Sequence, residues 1–286
     1  MKSTIRELLT EAAQELNGAG VPDARREAAS LLSFILDKDR TFLISHAEDE
    51  VDDHSWNRLR EFVERRATGE PLQYITAVQD FYGREFRVTP DVLIPRPETE
   101  LLVEAALQIV GNTGAAPFIC DVGTGSGCIA LTLLCEIVNA RAVAIDKSSA
   151  ALEIAKLNAQ SLSIADRAHF VVSDCFNSLD SNEHKFDLIV SNPPYVAEVA
   201  LAGLQREVRD HEPVVALSPG PDGLSVIRRL IDEAPAFIKP GGYMLIEIGF
   251  DQGEAVTRLI DGSAWALREI RPDLQGIPRI VVLQRT

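Results

Sequence analysis

The sequence predicts a doubly wound α/β domain on a mostly parallel seven-stranded sheet, preceded by a small N-terminal helical bundle and a β-hairpin linker. Three observations predict it. Apolar residues recur at helical spacing up to about residue 75, a Gly- and Pro-broken stretch follows, and beyond Pro117 short apolar strands alternate with helices. Parallel strands joined by right-handed crossovers carry helices on both faces, so they read as apolar throughout.

In the bundle, Ile5, Leu8, Leu9, Ala12, Ala13 and Leu16 form one helical face, and Ala28, Leu31, Leu32 and Ile35 a second. Asp53 or Ser55 is expected to cap a third helix carrying Trp56, Leu59, Phe62 and Val63. The stretch "GEPLQYITAVQDFYGREFRVTPDVLIPRPETE" is interrupted by Gly83, Pro90, Pro95 and Pro97, and reads as a hairpin linker. Three parts are expected: a helical domain over 1–78, a linker over 79–98 and an α/β domain over 99–286. The α/β part opens with a helix over 99–110. Strands "FICDVG", "RAVAID", "HFVVSD", "FDLIVSN" and "YMLIEIG" follow, with helices expected over 125–137, 148–160 and 222–238. A helix near 252–261 and a closing hairpin, "WALREIR" with "RIVVLQ", complete the chain.

The 286 residues are 46% hydrophobic and 25% charged, the balance of an ordinary globular protein. A formal charge of −15 opposes general attraction to nucleic acid or to an anionic membrane. The densest basic cluster, Arg58, Arg60, Arg65 and Arg66, is interrupted by Glu61 and Glu64 and reads as a solvated helix face. Cys120, Cys128, Cys135 and Cys175 lack CxxC spacing and the five histidines lack HxxxH pairing, so neither a metal site nor a disulfide framework is expected. The N-terminus has no signal-peptide pattern and no apolar run reaches membrane-spanning length, so a cytoplasmic protein is expected.

"CDVGTGSGC" follows the first sheet strand. Gly123, Gly125 and Gly127 let a ligand approach backbone N–H groups at a helix N-terminus. A dinucleotide fingerprint would place a third glycine where Cys128 stands, so the spacing disfavours a pyrophosphate. Asp146, ending the second strand, suits the paired hydroxyls of a ribose, and Asp174 in "SDCF" can accept from an adenine amino group with Cys175 behind the ring. Ligands in open α/β sheets bind outside the carboxyl ends of strands, so Gly123, Asp146, Asp174 and Asn192 are expected around one crevice. In "SNPPY" the prolines have no N–H to donate and hold the preceding residues extended. Asn192 and the Pro193 carbonyl then offer two neutral acceptors to the two protons of a planar NH2 group, on which Tyr195 can stack.

These motifs resemble those of class I S-adenosylmethionine-dependent methyltransferases, which pair an acidic Gly-rich loop after strand one with [Asn/Asp]-Pro-Pro-aromatic after strand four. The helical domain with "GEPLQYI", the segment "LIPRPETE" and the later "EVRDHEPVVAL…GPDGL" extend the resemblance over nearly the whole chain, to the release-factor glutamine methyltransferases (the PrmC/HemK family). The resemblance implies a Rossmann-like methyltransferase sheet and S-adenosyl-L-methionine as cofactor. It also implies methylation of the side-chain amide (N5) of the glutamine in the Gly-Gly-Gln motif of peptide chain release factors. By the same resemblance Asn192, Pro193, Pro194 and Tyr195 hold the glutamine. Asp121, Gly123, Thr124, Gly125, Ser126, Gly127, Asp146, Asp174, Cys175 and Asn192 serve the cofactor. Cys175 stands where relatives often carry a bulky aromatic, with Phe176 as the alternative adenine contact, and Arg96, Glu98 and Glu100 are expected to close over the cofactor. Neither a metal nor a general base is required, and a monomer that binds release factors rather than nucleic acid is expected. A nucleic-acid adenine N6-methyltransferase is the alternative enzyme and a catalytically silent binding module the alternative of a different class.

Overall fold

A computed structural model describes residues 3–111 and 116–286. The chain divides into two units: Met1–Val78 with Gln205–His211, and Gln79–Leu204 with Glu212–Thr286.

The first unit packs helices Ile5–Gly18, Ala24–Leu36 and Asp53–Ala67 around Leu8, Leu16, Leu31, Leu32, Leu59 and Val63, all buried. Thr4 and Glu7 cap the first helix reciprocally, the Glu7 N–H donating to Thr4 Oγ1 at 3.3 Å and the Thr4 N–H to Glu7 Oε2 at 2.9 Å. The cap of the third helix is Asp52, not Asp53 or Ser55: Asp52 accepts the Ser55 N–H at 2.9 Å, the reach an N-cap side chain requires.

Arg66 also departs from the expected solvated face. Only 1% exposed, its guanidinium donates to the carboxylates of Glu27 and Glu207 and to the Glu70 carbonyl at 3.2 Å. Glu207 thereby ties Gln205–His211, which the sequence reading assigns to the α/β part, into the helical unit. Replacing Arg66 by Met is expected to cost about 2–3 kcal/mol, below the ~3–5 kcal/mol typical when one partner of a buried pair is lost, because both glutamates keep some water. Thermal unfolding of the full chain checks this, with limited proteolysis reporting release of Gln205–His211.

Strands β1 (Val78–Phe81), which enters the second unit at Gln79, and β2 (Arg84–Arg87) form a hairpin whose Phe81 and Phe86 are buried edge-to-face at 6.0 Å. The main sheet contains β3 (Phe118–Val122), β4 (Arg141–Asp146), β5 (Ala168–Val172), β6 (Phe186–Ser191), β7 (Ile238–Glu247), β8 (Trp265–Pro272) and β9 (Pro278–Arg285). Their order is β5-β4-β3-β6-β7-β9-β8; the first five run parallel and the last two pair antiparallel. From Leu188 on, successive residues face opposite cores, Leu188 and Val190 packing with helix Cys128–Glu136 and Ile189 with helix Ser225–Glu233, while an irregularity between Phe186 and Leu188 puts Phe186 on the Ile189 side.

The chain runs outward from β3 to β5 and returns to place β6 beside β3, creating a switch point at their carboxyl ends. Two helix starts differ from the sequence reading. Helix Cys128–Glu136 begins at Cys128 because Gly125 and Gly127 have positive φ, and the expected 99–110 helix begins as a short 3₁₀ turn over Pro97–Thr99 before Glu100–Ala106.

Candidate active site

The switch point opens into a cleft of about 1000 Å³, counted out to solvent. The glycine-rich loop forms its floor. Gly123 and Gly125 have φ of +75° and +54°, and a Cβ added at either would meet nothing within 4 Å, so the backbone there is bare toward the cleft. Gly127 serves packing: a Cβ there would lie 2.8 Å from Leu131. The loop is held from both sides. The Gly123 and Thr124 N–H groups donate to the Ile145 carbonyl at 2.9 and 3.0 Å, and the Asn158 amide donates to the Ser126 carbonyl at 2.8 Å.

Asp146 ends β4 with Oδ2 accepting the Gly125 N–H and Oδ1 the Ser148 N–H, each at 2.9 Å, and burial raises its pKa. Each oxygen keeps a lone pair for a ligand hydroxyl. Asp121 lies behind the wall, fully buried, with Oδ2 accepting from Thr124 Oγ1 at 2.7 Å and from the Ala130 N–H at 3.2 Å. Its Oδ1 has no hydrogen-bond partner among the described residues, and burial pushes its pKa up to about 7.

The folded state therefore holds the Asp121 proton between about 3.8 and about 7 while the unfolded chain has released it, so stability falls as pH rises through that window. Asp121→Asn is expected to shrink the difference in Tm between pH 5 and pH 8, an effect on the order of a few kcal/mol, as thermal unfolding at the two pH values will show.

Beyond β5, Ser173, Asp174 and Cys175 line the cleft. Asp174 is more than half exposed and accepts from Arg229 at 2.8 Å, while burial raises the Cys175 thiol to about 11. Phe176 does not line the cleft: the turn at Cys175, with φ of +50°, sends the ring inward to stack on Phe237 at 4.8 Å. Of "LIPRPETE", Leu93, Pro95 and Thr99 reach the cleft. Arg96 and Glu100 are engaged elsewhere, Arg96 with the Glu212 carboxylate and Glu100 as acceptor of the Tyr82 N–H at 2.8 Å.

After β6, Asn192, Pro193 and Pro194 form the adjoining wall. Asn192 donates its amide to Thr99 Oγ1 at 3.0 Å, and the Ser191 hydroxyl donates to the Val122 carbonyl at 2.7 Å, tying β6 to β3. Tyr195 stands back from the wall, because its hydroxyl donates to Glu247 Oε1 at 3.4 Å and its ring packs against the core. Its carbonyl accepts from Gln252, which also donates to the Gly223 carbonyl. Val215 and Ala216, from "EPVVAL", supply the apolar wall.

Sequence reasoning missed Thr99, Glu247 and Gln252. Glu247 is 2% exposed, with its pKa pushed up to about 7 chiefly by burial. The signal for it was a carboxylate inside the otherwise apolar "MLIEIG".

A bare glycine loop and the Asp146 carboxylate at the switch point leave room and polar groups for an adenosine-bearing ligand, and the sheet order is that of the Rossmann-like, S-adenosylmethionine-dependent methyltransferases. Comparison with known proteins is more specific. Residues 7–76 match the family model of the PrmC N-terminal domain and residues 98–208 that of the methyltransferase small domain. The release factor glutamine methyltransferase of Koribacter versatilis is 42% identical over 279 residues, 98% of either chain. That of Cereibacter sphaeroides is 42% identical over 275 residues, 96% of this chain and 95% of the relative. Among solved structures, a methyltransferase from Pyrococcus furiosus matches 80% of this chain and 98% of its own at 14% identity, with a TM-score of 0.52, which speaks to the fold. The chain belongs to the release factor glutamine methyltransferase family.

Proposed function

We propose that this protein methylates the side-chain amide nitrogen of the glutamine in the Gly-Gly-Gln motif of peptide chain release factors. The observation that carries the reading is the Asn192–Pro193 pair on the cleft wall, with the Asn192 amide group directed to Thr99 and its Oδ1 left to accept. The family relationship supports the same substrate.

When bound, S-adenosyl-L-methionine supplies an electrophilic methyl carbon. The bare backbone at Gly123 and Gly125, the Asp146 carboxylate and the Asp174–Cys175 turn would hold it, with Thr124, Ser126 and Asn192 lining the same cleft. Asn192 Oδ1 and the Pro193 carbonyl accept the two amide protons of the glutamine and aim the nitrogen's face across the cleft. Each neutral hydrogen bond contributes roughly 0.5–1.5 kcal/mol net, whereas orientation of two reactants contributes about 7–11 kcal/mol. Positioning is therefore the main catalytic device, and the proton of the alkylated amide leaves to solvent.

The helical unit recognises the release factor, and the enzyme acts as a cytoplasmic monomer without binding nucleic acid. The net charge of −15 supports this, as does the pairing of Arg66 with Glu27 and Glu207, which removes one member of the basic cluster from the surface. No helix among the described residues is long and apolar enough to cross a membrane. Incubation with methyl-labelled cofactor and either a release factor or DNA tests the reading. Label is expected in the release factor, and label confined to DNA overturns the proposal in favour of an adenine methyltransferase.

A further inference from the structure

Asn158 sits inside the helix Ser149–Ser161 and is only 2% exposed, where an apolar side chain would be the better helix former and the cheaper group to bury. Its hydrogen bonds account for it. Oδ1 accepts the Arg87 N–H at 2.8 Å, while Nδ2 donates to the Ser126 carbonyl at 2.8 Å and to the Arg87 carbonyl at 3.1 Å. A backbone N–H can meet only an acceptor and a carbonyl only a donor, so the amide fits in one orientation.

The two backbones that Asn158 joins are far apart in the chain, and both lead into the cleft. Ser126 belongs to the glycine loop, and a Cβ added at its neighbour Gly127 would lie 3.2 Å from the Ala155 Cβ, so the helix face carrying Ala155 and Asn158 backs directly onto that loop. Arg87 ends β2. From it the chain passes through the fully buried Val88 and a turn, in which the Val92 N–H donates to the Thr89 carbonyl at 3.0 Å, to Asp91, Val92 and Leu93 on the cleft wall. Asn158 itself does not line the cleft.

On the reading that the cofactor lies along the glycine loop, we propose that Asn158 is a positioning residue for S-adenosylmethionine: it pins the loop and the stretch leading to Asp91–Leu93 to one helix, and so fixes the spacing into which the cofactor fits. Without the amide, two carbonyls and one N–H are left buried and unpaired, and the arrangement competent to bind is populated only part of the time, which weakens the apparent affinity by that fraction. Asn192 is held from Thr99 rather than from Asn158, so the defect falls on the cofactor and spares the glutamine.

Asn158→Leu keeps the size and removes all three hydrogen bonds, whereas Asn158→Asp keeps the acceptor and removes both donors. Calorimetric titration with S-adenosylhomocysteine and steady-state kinetics on a release factor are run on both, with Asp146→Ala alongside. Each Asn158 variant is expected to bind S-adenosylhomocysteine about 10- to 100-fold more weakly and to raise KM for S-adenosylmethionine alike, while kcat at saturating cofactor and KM for the release factor stay within about threefold of wild type. Hydrogen exchange of the wild type adds a reading that needs no variant: saturation with S-adenosylhomocysteine is expected to slow exchange of the Arg87 N–H, although Arg87 does not line the cleft. Unchanged cofactor affinity in the Asn158 variants overturns the proposal. So does a kcat that falls while KM for the cofactor stays put, the mark of a merely structural role, and so does an Arg87 N–H that exchanges as fast with ligand as without. Asp146→Ala separates the two readings: affinity unchanged there counts against the placing of the cofactor, whereas affinity lost there and kept in the Asn158 variants counts against Asn158 alone.

Discussion

Asn192→Ala is expected to lower kcat on a release factor about a thousandfold, equivalent to roughly 4 kcal/mol of transition-state stabilisation. In the proposed reaction the side chain is one of two acceptors that orient the nucleophilic nitrogen, and alanine leaves only the Pro193 carbonyl at the cleft wall. Because the main consequence is lost orientation rather than lost binding, KM is expected to rise only a fewfold. Affinity for S-adenosylmethionine, read by calorimetry, is expected to stay within about tenfold, since the glycine loop and Asp146 are untouched. Steady-state kinetics separate this outcome from a simple binding defect.

Gly223→Ala is expected to be nearly as damaging from a position that does not line the cleft. Gly223 has φ of +70°, and an added Cβ would lie 2.4 Å from the Tyr195 carbonyl oxygen and 2.9 Å from Gln252 Nε2. Backbone cannot yield there as a flexible side chain would. Gln252 donates to both the Tyr195 and Gly223 carbonyls and accepts the Gly249 N–H at 2.9 Å, so a displacement at one is passed to the others. We expect a stability loss of about 2–4 kcal/mol and a fall in kcat of at least tenfold at temperatures where the protein stays folded. Thermal unfolding and kinetics on the same preparation check both. This close approach also gives a physical reason for a glycine in "GPDGL": no side chain fits between that turn and the segment behind the acceptor pair.

The sheet, the glycine loop at the cleft and the placing of Asn192 and Pro193 after β6 were legible in the sequence because each is a local pattern. Apolar runs bounded by turn residues marked every strand of the main sheet, and the missing N–H groups of Pro193 and Pro194 followed from residue type alone. What was not legible depended on distant partners. Arg66 looked solvated beside Glu61 and Glu64, but its partner Glu207 is 141 residues away. Asn192 meets Thr99 across 93 residues of sequence and Tyr195 meets Glu247 across 52. Of Cys175 and Phe176, only Cys175 lines the cleft, because the positive φ at Cys175 accompanies an aromatic ring turned into the core against Phe237, a feature no local pattern announces. Tyr195 shows the same limit: residue type suggested stacking on the substrate, while Glu247 draws its hydroxyl inward.

The central claim is that this cleft methylates a glutamine amide, and mass spectrometry of the Gly-Gly-Gln peptide tests it most directly. A release factor from cells lacking this enzyme is incubated with the protein and S-adenosylmethionine, digested and fragmented. One added methyl group on the glutamine side chain, absent when Asn192→Ala replaces the wild type, is the predicted result. A peptide that stays unmodified, or a methyl group located on any other residue, would contradict the account.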